Sequence, residues 1–272
     1  MRKRDLIVII AGMLFTGGCS KDTAPLPEQP ETPVHGALLQ SITWDNGAHA
    51  VMDYNKDSTL KQIIYRFRNS TSATIFTWEK KQIKEMYDDR SLYKNTYYYN
   101  GSVVSHYINS PKQIVPANSC KMEYGYGDNG RLSSLKYITT NEAGAKVQTV
   151  STYIYNTAGE LQEVKTVATN SVITHTIERY TDSVHFNPLV FIETGLFENY
   201  PIFNLPLLSS MKKYPQKIIR MVKIGNDDPY TDKIEENICE ITNKQIHTIT
   251  STITSPGMPD YRVSITGVFK YE

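Results

Sequence analysis

The sequence predicts an all-β protein, and three observations carry that prediction. Tyrosine is abundant, with 19 residues in 272, alongside many threonines and isoleucines, which is a composition typical of strands. Tyrosine also recurs at a fixed distance before an aliphatic residue, with turn-forming residues between the two. The carboxyl-terminal segment 261–271 alternates apolar and polar side chains, as a strand with one covered face does. We therefore expect an antiparallel hairpin meander that forms a large curved sheet or an open barrel.

One set of hairpins places tyrosine six residues before leucine. The pairs are Tyr54 and Leu60, Tyr126 and Leu132, and Tyr155 and Leu161. A three-residue loop explains this interval, because it puts the two side chains opposite each other across the strands. Such a loop is a type I turn followed by a left-handed residue, which favours glycine at its third position. Gly130 and Gly159 occupy that position, whereas Ser58 fits it less well.

A second set uses an interval of five residues and a shorter loop. The segments are 98–103, centred on Asn100-Gly101, 241–246, with Asn243 in the equivalent place, and 78–83, whose turn residues are poor. Facing aromatic and aliphatic side chains stabilise a sheet in both sets. Six hairpins predict about twelve strands, with others at the ends. Leu132 and Leu135 lie three apart, so either a bulge intervenes or both faces are partly covered.

One stretch breaks the strand pattern. Between residues 186 and 213, apolar residues cluster among prolines without a period of two. We expect a short helix over 189–197 and a further helical turn over 205–211. This partly helical connection is predicted to cover an open end of the sheet, because its apolar side chains would otherwise form an exposed patch. The alternative is a lid or a surface that binds a partner.

The amino terminus indicates a lipoprotein. Residues 1–18 combine a basic start with an apolar run of about ten residues, which is the length of a signal-peptide core and too short to span a bilayer. Small residues precede Cys19, so we predict cleavage before Cys19 and lipidation of its thiol. The alternative is an ordinary secretory signal cut near the same place. Residues 19–36 then form a Pro-rich tether, and residues 37–272 a single antiparallel β domain.

The location follows from this start. Acyl chains on Cys19 anchor a protein in a bilayer without spanning it. The next residues, Ser20-Lys21-Asp22, resemble the Lys-acidic export signal of surface lipoproteins in the Bacteroidota. We therefore expect an outer-membrane protein that is held by lipid and faces the cell exterior.

A family resemblance supports the same location. The run Tyr-x-Tyr-x-x-x-Gly-Arg-Leu at 124–132 resembles the YD repeats of bacterial surface and toxin proteins. Together with the lipoprotein start, segment 214–218 and the final strands to 269–272, the chain resembles Bacteroidota lipoproteins that carry a domain of unknown function with a porin-like β-fold. The resemblance implies a curved antiparallel sheet or open barrel and supplies no catalytic residues.

The search for chemistry returns no catalytic motif. The six histidines are scattered without metal-ligand spacing, and neither a nucleophile elbow nor a phosphate-binding loop is present. We predict no catalytic residues, no metal and no cofactor; the oxygen-rich segment 226–232 is more typical of turns. A net charge of +1 gives no reason to expect nucleic acid as a partner. Cys120 and Cys239 are either a disulfide or two buried thiols.

Tyrosines are the candidate binding residues. Tyr97, Tyr98, Tyr99 and Tyr107 surround one hairpin, and exposed aromatic faces stack on sugars or partner proteins. The alternative is that they are core residues of the sheet. We favour a non-catalytic surface module that binds a glycan, a peptide or an envelope protein. A structural or assembly accessory of the outer membrane and a glycan hydrolase are the two alternatives.

Overall fold

The computed structural model describes residues 37–112, 119–141, 144–185 and 204–272, and it confirms the all-β fold. Sixteen strands account for most of these residues, and one short helix, α1, spans Leu205–Leu208. The strands are β1 Leu39–Trp44, β2 His49–Tyr54, β3 Leu60–Phe67, β4 Ser70–Glu79, β5 Gln82–Asp88, β6 Tyr93–Asn100, β7 Val103–Pro111, β8 Ser119–Tyr126, β9 Leu132–Asn141, β10 Gly144–Tyr155, β11 Leu161–Ala168, β12 Ser171–Ser183, β13 Lys213–Ile224, β14 Tyr230–Thr242, β15 Gln245–Ser255 and β16 Met258–Tyr271.

The sheet is a simple meander that closes on itself. Each strand pairs antiparallel with the next one along the chain, and β1 pairs with β16 to complete a closed barrel. The antiparallel meander was predicted, whereas the sequence left closure open. Closure removes the two exposed edges that an open sheet would present to other strands.

A repeated hairpin builds one end of the barrel. Tyr126 faces Leu132, Tyr155 faces Leu161 and Tyr54 faces Leu60, as the six-residue spacing predicts. The third loop residue is left-handed in all three, including Ser58 at φ 65°. The residue after each aliphatic partner is unpaired, so every one of these hairpins carries a β-bulge. The bulge turns Leu132 and Leu135 to the same buried side, which answers the question left by their spacing.

The shorter hairpins follow the same plan, with one correction. Trp78 faces Ile83 and Ile241 faces Ile246. The hairpin predicted to centre on Asn100-Gly101 instead turns at 101–102 and pairs Tyr99 with Val104. Only Gly101 has a positive φ in that turn, so glycine takes the first central position, which is its place in a type II′ turn.

Aromatic side chains join each hairpin to its neighbour at this end. We call the set the aromatic belt; it consists of Tyr54, Trp78, Tyr99, Tyr126, Tyr155, Tyr180 and Tyr271. Each donates a hydrogen bond of 2.6–2.9 Å to a backbone carbonyl on the preceding strand, and the acceptors are Leu39, Leu60, Ile83, Val104, Leu132, Leu161 and Ile246, respectively. The ladder between hairpins stops two residues short of these carbonyls, so the aromatic donors satisfy acceptors that lie beyond the end of the ladder.

The two faces of the sheet differ in polarity. Along β11, Leu161, Val164 and Thr166 are buried, while Gln162 and Lys165 are exposed. Because the sheet is a closed barrel, the buried side chains point into the lumen. On the outer face of β15 and β16, which pair with each other, threonine and serine side chains are frequent. Their hydroxyls form hydrogen bonds of 3.0–3.1 Å between the two strands.

The described residues that precede β13 pack into the lumen at the belt end. Leu205, Leu207 and Leu208 of α1 are buried, and the Asn204 side-chain amide donates to the inward-facing Tyr153 hydroxyl. Asn204 also caps α1 at its amino end. The predicted helical turn over 205–211 is therefore present at 205–208, and it covers this end of the barrel as expected.

Several predictions lie outside the described residues. These are the signal segment 1–18, lipidation of Cys19, the tether 19–36 and the helix over 189–197. Among the described residues, no helix combines the length and the apolar character needed to cross a membrane.

Candidate functional site

The lumen holds a cavity of about 490 Å³ in the half away from the aromatic belt. Its volume lies within the range of small-molecule binding sites. Six consecutive strands, β6 to β11, contribute its lining. The lining residues are Asn95, Tyr107, Asn109, Cys120, Met122, Leu135, Tyr137, Thr149, Ser151 and Thr166.

Strand register explains why these side chains meet. Asn95 pairs with Asn109, Asn109 with Cys120, and Cys120 with Thr139, so residues at one height point inward together. Alternate residues of a strand point to opposite faces of the sheet. The polar residues of the cavity therefore stand at inward-facing positions, where the alternation would predict apolar side chains. The sequence around Asn95 and Asn109 gives no sign of this, because both residues lie in segments of ordinary strand composition.

Tyr107 lines the floor of the cavity, and two further tyrosine rings pack against it. The rings of Tyr97 and Tyr107 lie 5.3 Å apart between centroids, and those of Tyr107 and Tyr124 lie 6.3 Å apart. All three side chains are buried. Beside them, the hydroxyls of Ser151 and Thr166 share a hydrogen bond of 2.8 Å. Below this layer the aromatic belt and α1 fill the barrel, so the cavity is closed toward the belt end.

The polar groups of the cavity are uncharged. The Asn109 side-chain amide donates to the Asn95 side-chain oxygen at 2.8 Å, and the Cys120 thiol lies 3.2 Å from the Tyr137 hydroxyl. Each asparagine has four hydrogen-bonding sites, so one mutual bond leaves further donor and acceptor capacity on both. The ten lining residues include no carboxylate, histidine, lysine or arginine. This cavity therefore lacks the carboxylate pair that glycoside hydrolysis uses.

The four predicted binding tyrosines occupy different places. Tyr97 and Tyr107, 7% and 8% exposed, form the floor of the cavity, and Tyr107 is one of its lining residues. Tyr99 belongs to the aromatic belt. Tyr98 is 42% exposed on the outside of the barrel, where its ring stacks on His106 with centroids 4.5 Å apart. Sequence spacing alone did not separate the inward from the outward members of this run.

The two cysteines do not form a disulfide in the structure; both are free thiols. Cys120 lies on β8 and Cys239 on β14, six strands away around the barrel. Neighbouring strands are about 4.8 Å apart, so this separation exceeds the reach of a disulfide. Burial raises the pKa of the Cys239 thiol to about 12, whereas Cys120 lines the cavity.

A second polar cluster lies on the opposite wall of the lumen. Glu235 and Asn237 of β14 are buried, and the Asn237 amide donates to the Glu235 carboxylate at 2.9 Å and to the Pro215 carbonyl at 3.0 Å. These bonds join β14 to the start of β13. Within the part of the chain that the structure describes, no group of three or more acidic, histidine or cysteine residues is arranged to hold a metal ion.

Comparison with solved structures shows a porin-like barrel. A porin-like protein from Bacteroides uniformis matches over 90% of this chain and all of its own length, with 12% identity and a TM-score of 0.57. One from Bacteroides vulgatus matches over 87% of this chain and 99% of its own, with 12% identity and a TM-score of 0.48. At such identity the first match shows the fold alone. No family model and no curated protein sequence matches the chain.

Proposed function

We propose that this barrel is a non-catalytic binding module of the cell envelope that takes a small, neutral, polar ligand of the carbohydrate class into its lumen. The observation that carries the proposal is the cavity between β6 and β11, where amides, hydroxyls and tyrosine rings surround about 490 Å³. Sugars present many hydroxyls and apolar ring faces at once. Amide and hydroxyl side chains match the hydroxyls, and aromatic rings match the ring faces.

The lack of charge in the lining favours a neutral ligand. A charged ligand that enters a partly buried site loses water, and it needs an opposite charge to replace that hydration. None of the ten lining residues supplies one. Asn95, Asn109 and Thr149 instead offer neutral donors and acceptors, so neutral sugars are favoured over sugar acids, phosphates and amines.

Anchoring through lipid agrees with the polarity of the barrel surface. The exposed side chains of β11 are Gln162, Lys165 and Val167, so charged and polar residues are interspersed with apolar ones on the outer face, whereas strands that face lipid carry a continuous outward apolar band. We therefore propose that the barrel lies in water and that acyl chains on Cys19 hold it at the outer membrane.

The position of the first strand gives the cavity a direction relative to this anchor. β1 begins at Leu39, whose carbonyl accepts the Tyr54 hydrogen bond of the aromatic belt. The proposed tether therefore leaves the barrel at its closed end. The cavity lies in the other half, and this supports the proposal that it opens away from the anchoring membrane.

A matched pair of variants tests the proposal. Thr149 points into the cavity and Thr152, on the same strand, points outward. Titration of the purified protein with a panel of neutral mono- and disaccharides is expected to find a binder. Thr149→Leu is then expected to weaken that binding at least tenfold, which is about 1.4 kcal/mol, because it removes a hydroxyl and fills the opening.

Thr152→Leu is the control and is expected to bind as the unaltered protein does. Binding that is lost equally in both variants, or unchanged in both, would remove the cavity from the proposal. A panel in which no neutral sugar binds, while charged sugars do, would overturn the ligand class.

A further inference from the structure

Among the described residues, the cavity is open at one end of the barrel. Hydrogen-bonded strands surround the lumen on every side, because the barrel is closed between β1 and β16. At the belt end the described residues of α1 and the aromatic belt fill the lumen, and Leu207 is fully buried there. At the other end Asn109, Tyr137 and Thr149 are only half-buried. As far as the described residues line it, the cavity is therefore reached along the barrel axis, from the end away from the aromatic belt.

The part of the cavity lined by β10 is shallow. Its two lining residues on that strand, Thr149 and Ser151, lie two residues apart, with Ser151 nearer the aromatic belt, so the lined depth along the strand is about 7 Å. Ser151 is bonded to Thr166, and the rings of Tyr107 and Tyr97 close the floor beside them. This depth and the volume of about 490 Å³ suit one or two sugar rings in line with the axis.

Resting on the proposed function, we infer that the cavity recognises the free end of a glycan chain rather than units in its interior. An internal unit has neighbours on both sides, and both would have to pass through the same opening for that unit to reach the floor. A terminal unit reaches Tyr107 and Ser151 while the rest of the chain leaves through the mouth. The cavity therefore selects for chain ends by its shape, and the neutral lining selects among them by hydrogen bonding.

A glycan array presenting both chain directions tests the inference. Each neutral oligosaccharide is attached once through its reducing end and once through its non-reducing end, and cyclic oligosaccharides that have no end are included. The purified full chain is expected to bind one attachment direction at least tenfold more strongly than the other, and to bind no cyclic form above background.

The array results distinguish recognition of chain ends from carbohydrate binding in general. Equal binding to both directions together with binding to cyclic forms overturns end recognition and leaves the carbohydrate proposal intact. Binding to no neutral glycan in any form overturns the carbohydrate proposal, and end recognition falls with it.

Saturation-transfer NMR on the strongest array ligand gives an independent readout. Protons of the ring at the free end are expected to receive at least twice the saturation of protons on interior rings, because only that ring contacts the floor. Uniform saturation along the oligosaccharide would overturn end recognition.

Discussion

The Tyr99 hydroxyl donates a hydrogen bond of 2.8 Å to the backbone carbonyl of Ile83, across the boundary between β6 and β5. The backbone register along this boundary is short, with only Glu85 opposite Thr96 and Met86 opposite Asn95. The tyrosine therefore holds the belt end of a boundary that has few backbone pairs of its own. Burial raises the pKa of Tyr99 well above its ordinary value, so the hydroxyl keeps the proton that it donates.

Removing this hydroxyl is expected to destabilise the barrel. Tyr99→Phe leaves the Ile83 carbonyl without its donor in a partly buried place, and the expected loss in the free energy of unfolding is about 1–3 kcal/mol. Urea denaturation followed by circular dichroism measures it. The neighbouring Tyr98→Phe is the control, because Tyr98 lies on the outer face and its loss is expected to stay within about 0.5 kcal/mol. Equal losses in the two variants would contradict this role for the belt.

Trp78 tests whether the belt depends on a donor or on aromatic bulk. Its indole Nε1 donates to the Leu60 carbonyl at 2.7 Å, where the other belt members use a tyrosine hydroxyl. Trp78→Phe removes the donor and is expected to cost at least about 1 kcal/mol more than Trp78→Tyr, which keeps one. Thermal and urea denaturation of the two variants measure the difference. Equal stability of the two variants would show that ring burial alone matters.

The three-residue loops contain a position where a substitution is expected to raise the stability of the protein. Ser58 has a φ of 65° at the position that Gly130 occupies, with φ 72°, in the equivalent loop. A left-handed backbone costs a residue with a Cβ roughly 1–2 kcal/mol relative to glycine. Ser58→Gly is therefore expected to raise the melting temperature and Gly130→Ser to lower it. Differential scanning calorimetry compares them, and a destabilising Ser58→Gly would refute the argument.

Two adjacent lysines occupy a strained turn. Lys80 and Lys81 have φ values of 51° and 64°, so both central residues of the turn between β4 and β5 are left-handed. A type I′ turn of this kind favours Asn-Gly. The double substitution Lys80→Asn and Lys81→Gly is expected to stabilise the protein by about 1 kcal/mol.

Urea denaturation measures that gain. Because the same change also removes two positive charges, the variant with Lys80→Gln and Lys81→Gln is the control and is expected to show no such gain. A control that gains as much stability would assign the effect to charge and not to backbone conformation.

The two thiols are expected to react at different rates. The pKa of Cys239 near 12 leaves about one thiol in ten thousand ionised at pH 8, and the thiolate is the reactive form. Cys120 lines the cavity and is expected to be alkylated by iodoacetamide at least ten times faster in the native protein. Peptide-mapped mass spectrometry gives both rates, and equal labelling in urea is the control. Faster labelling of Cys239 would contradict the burial that raises its pKa.

The repeated hairpin is the part of the fold that the sequence predicts well, for a physical reason. Tyr126 and Leu132 touch across a loop of fixed length, so their spacing in the chain reports their contact in space. The bulge after Leu132 also leaves a trace, because it brings Leu132 and Leu135 to one face despite their odd separation. Closure of the barrel leaves no such trace, since nothing in Leu39–Trp44 or Met258–Tyr271 specifies that the two strands meet.

The candidate site was the harder part to predict. Asn95, Asn109 and Thr149 lie in segments with ordinary strand composition, and only the register of the barrel shows that they face the same space. The run of three tyrosines at 97–99 indicated one of the hairpins that line the cavity. Its members divide among the floor of the cavity, the outer face and the aromatic belt because successive residues of β6 point to opposite faces, and the pairing with β7 shows which of them share a height in the barrel.

The pairing of the first strand with the last has a consequence for how the chain acquires its structure. Ile42 lies opposite Phe269 and Trp44 opposite Gly267, so the contacts that seal the ring join residues more than 220 positions apart. Contacts at such separation form slowly, because a long loop must be ordered before they are made. Almost the whole polypeptide has to be synthesised before β1 can pair with β16. If the chain is exported, as we propose, it therefore crosses the membrane before the barrel is sealed, and no closed barrel has to be unfolded for the crossing.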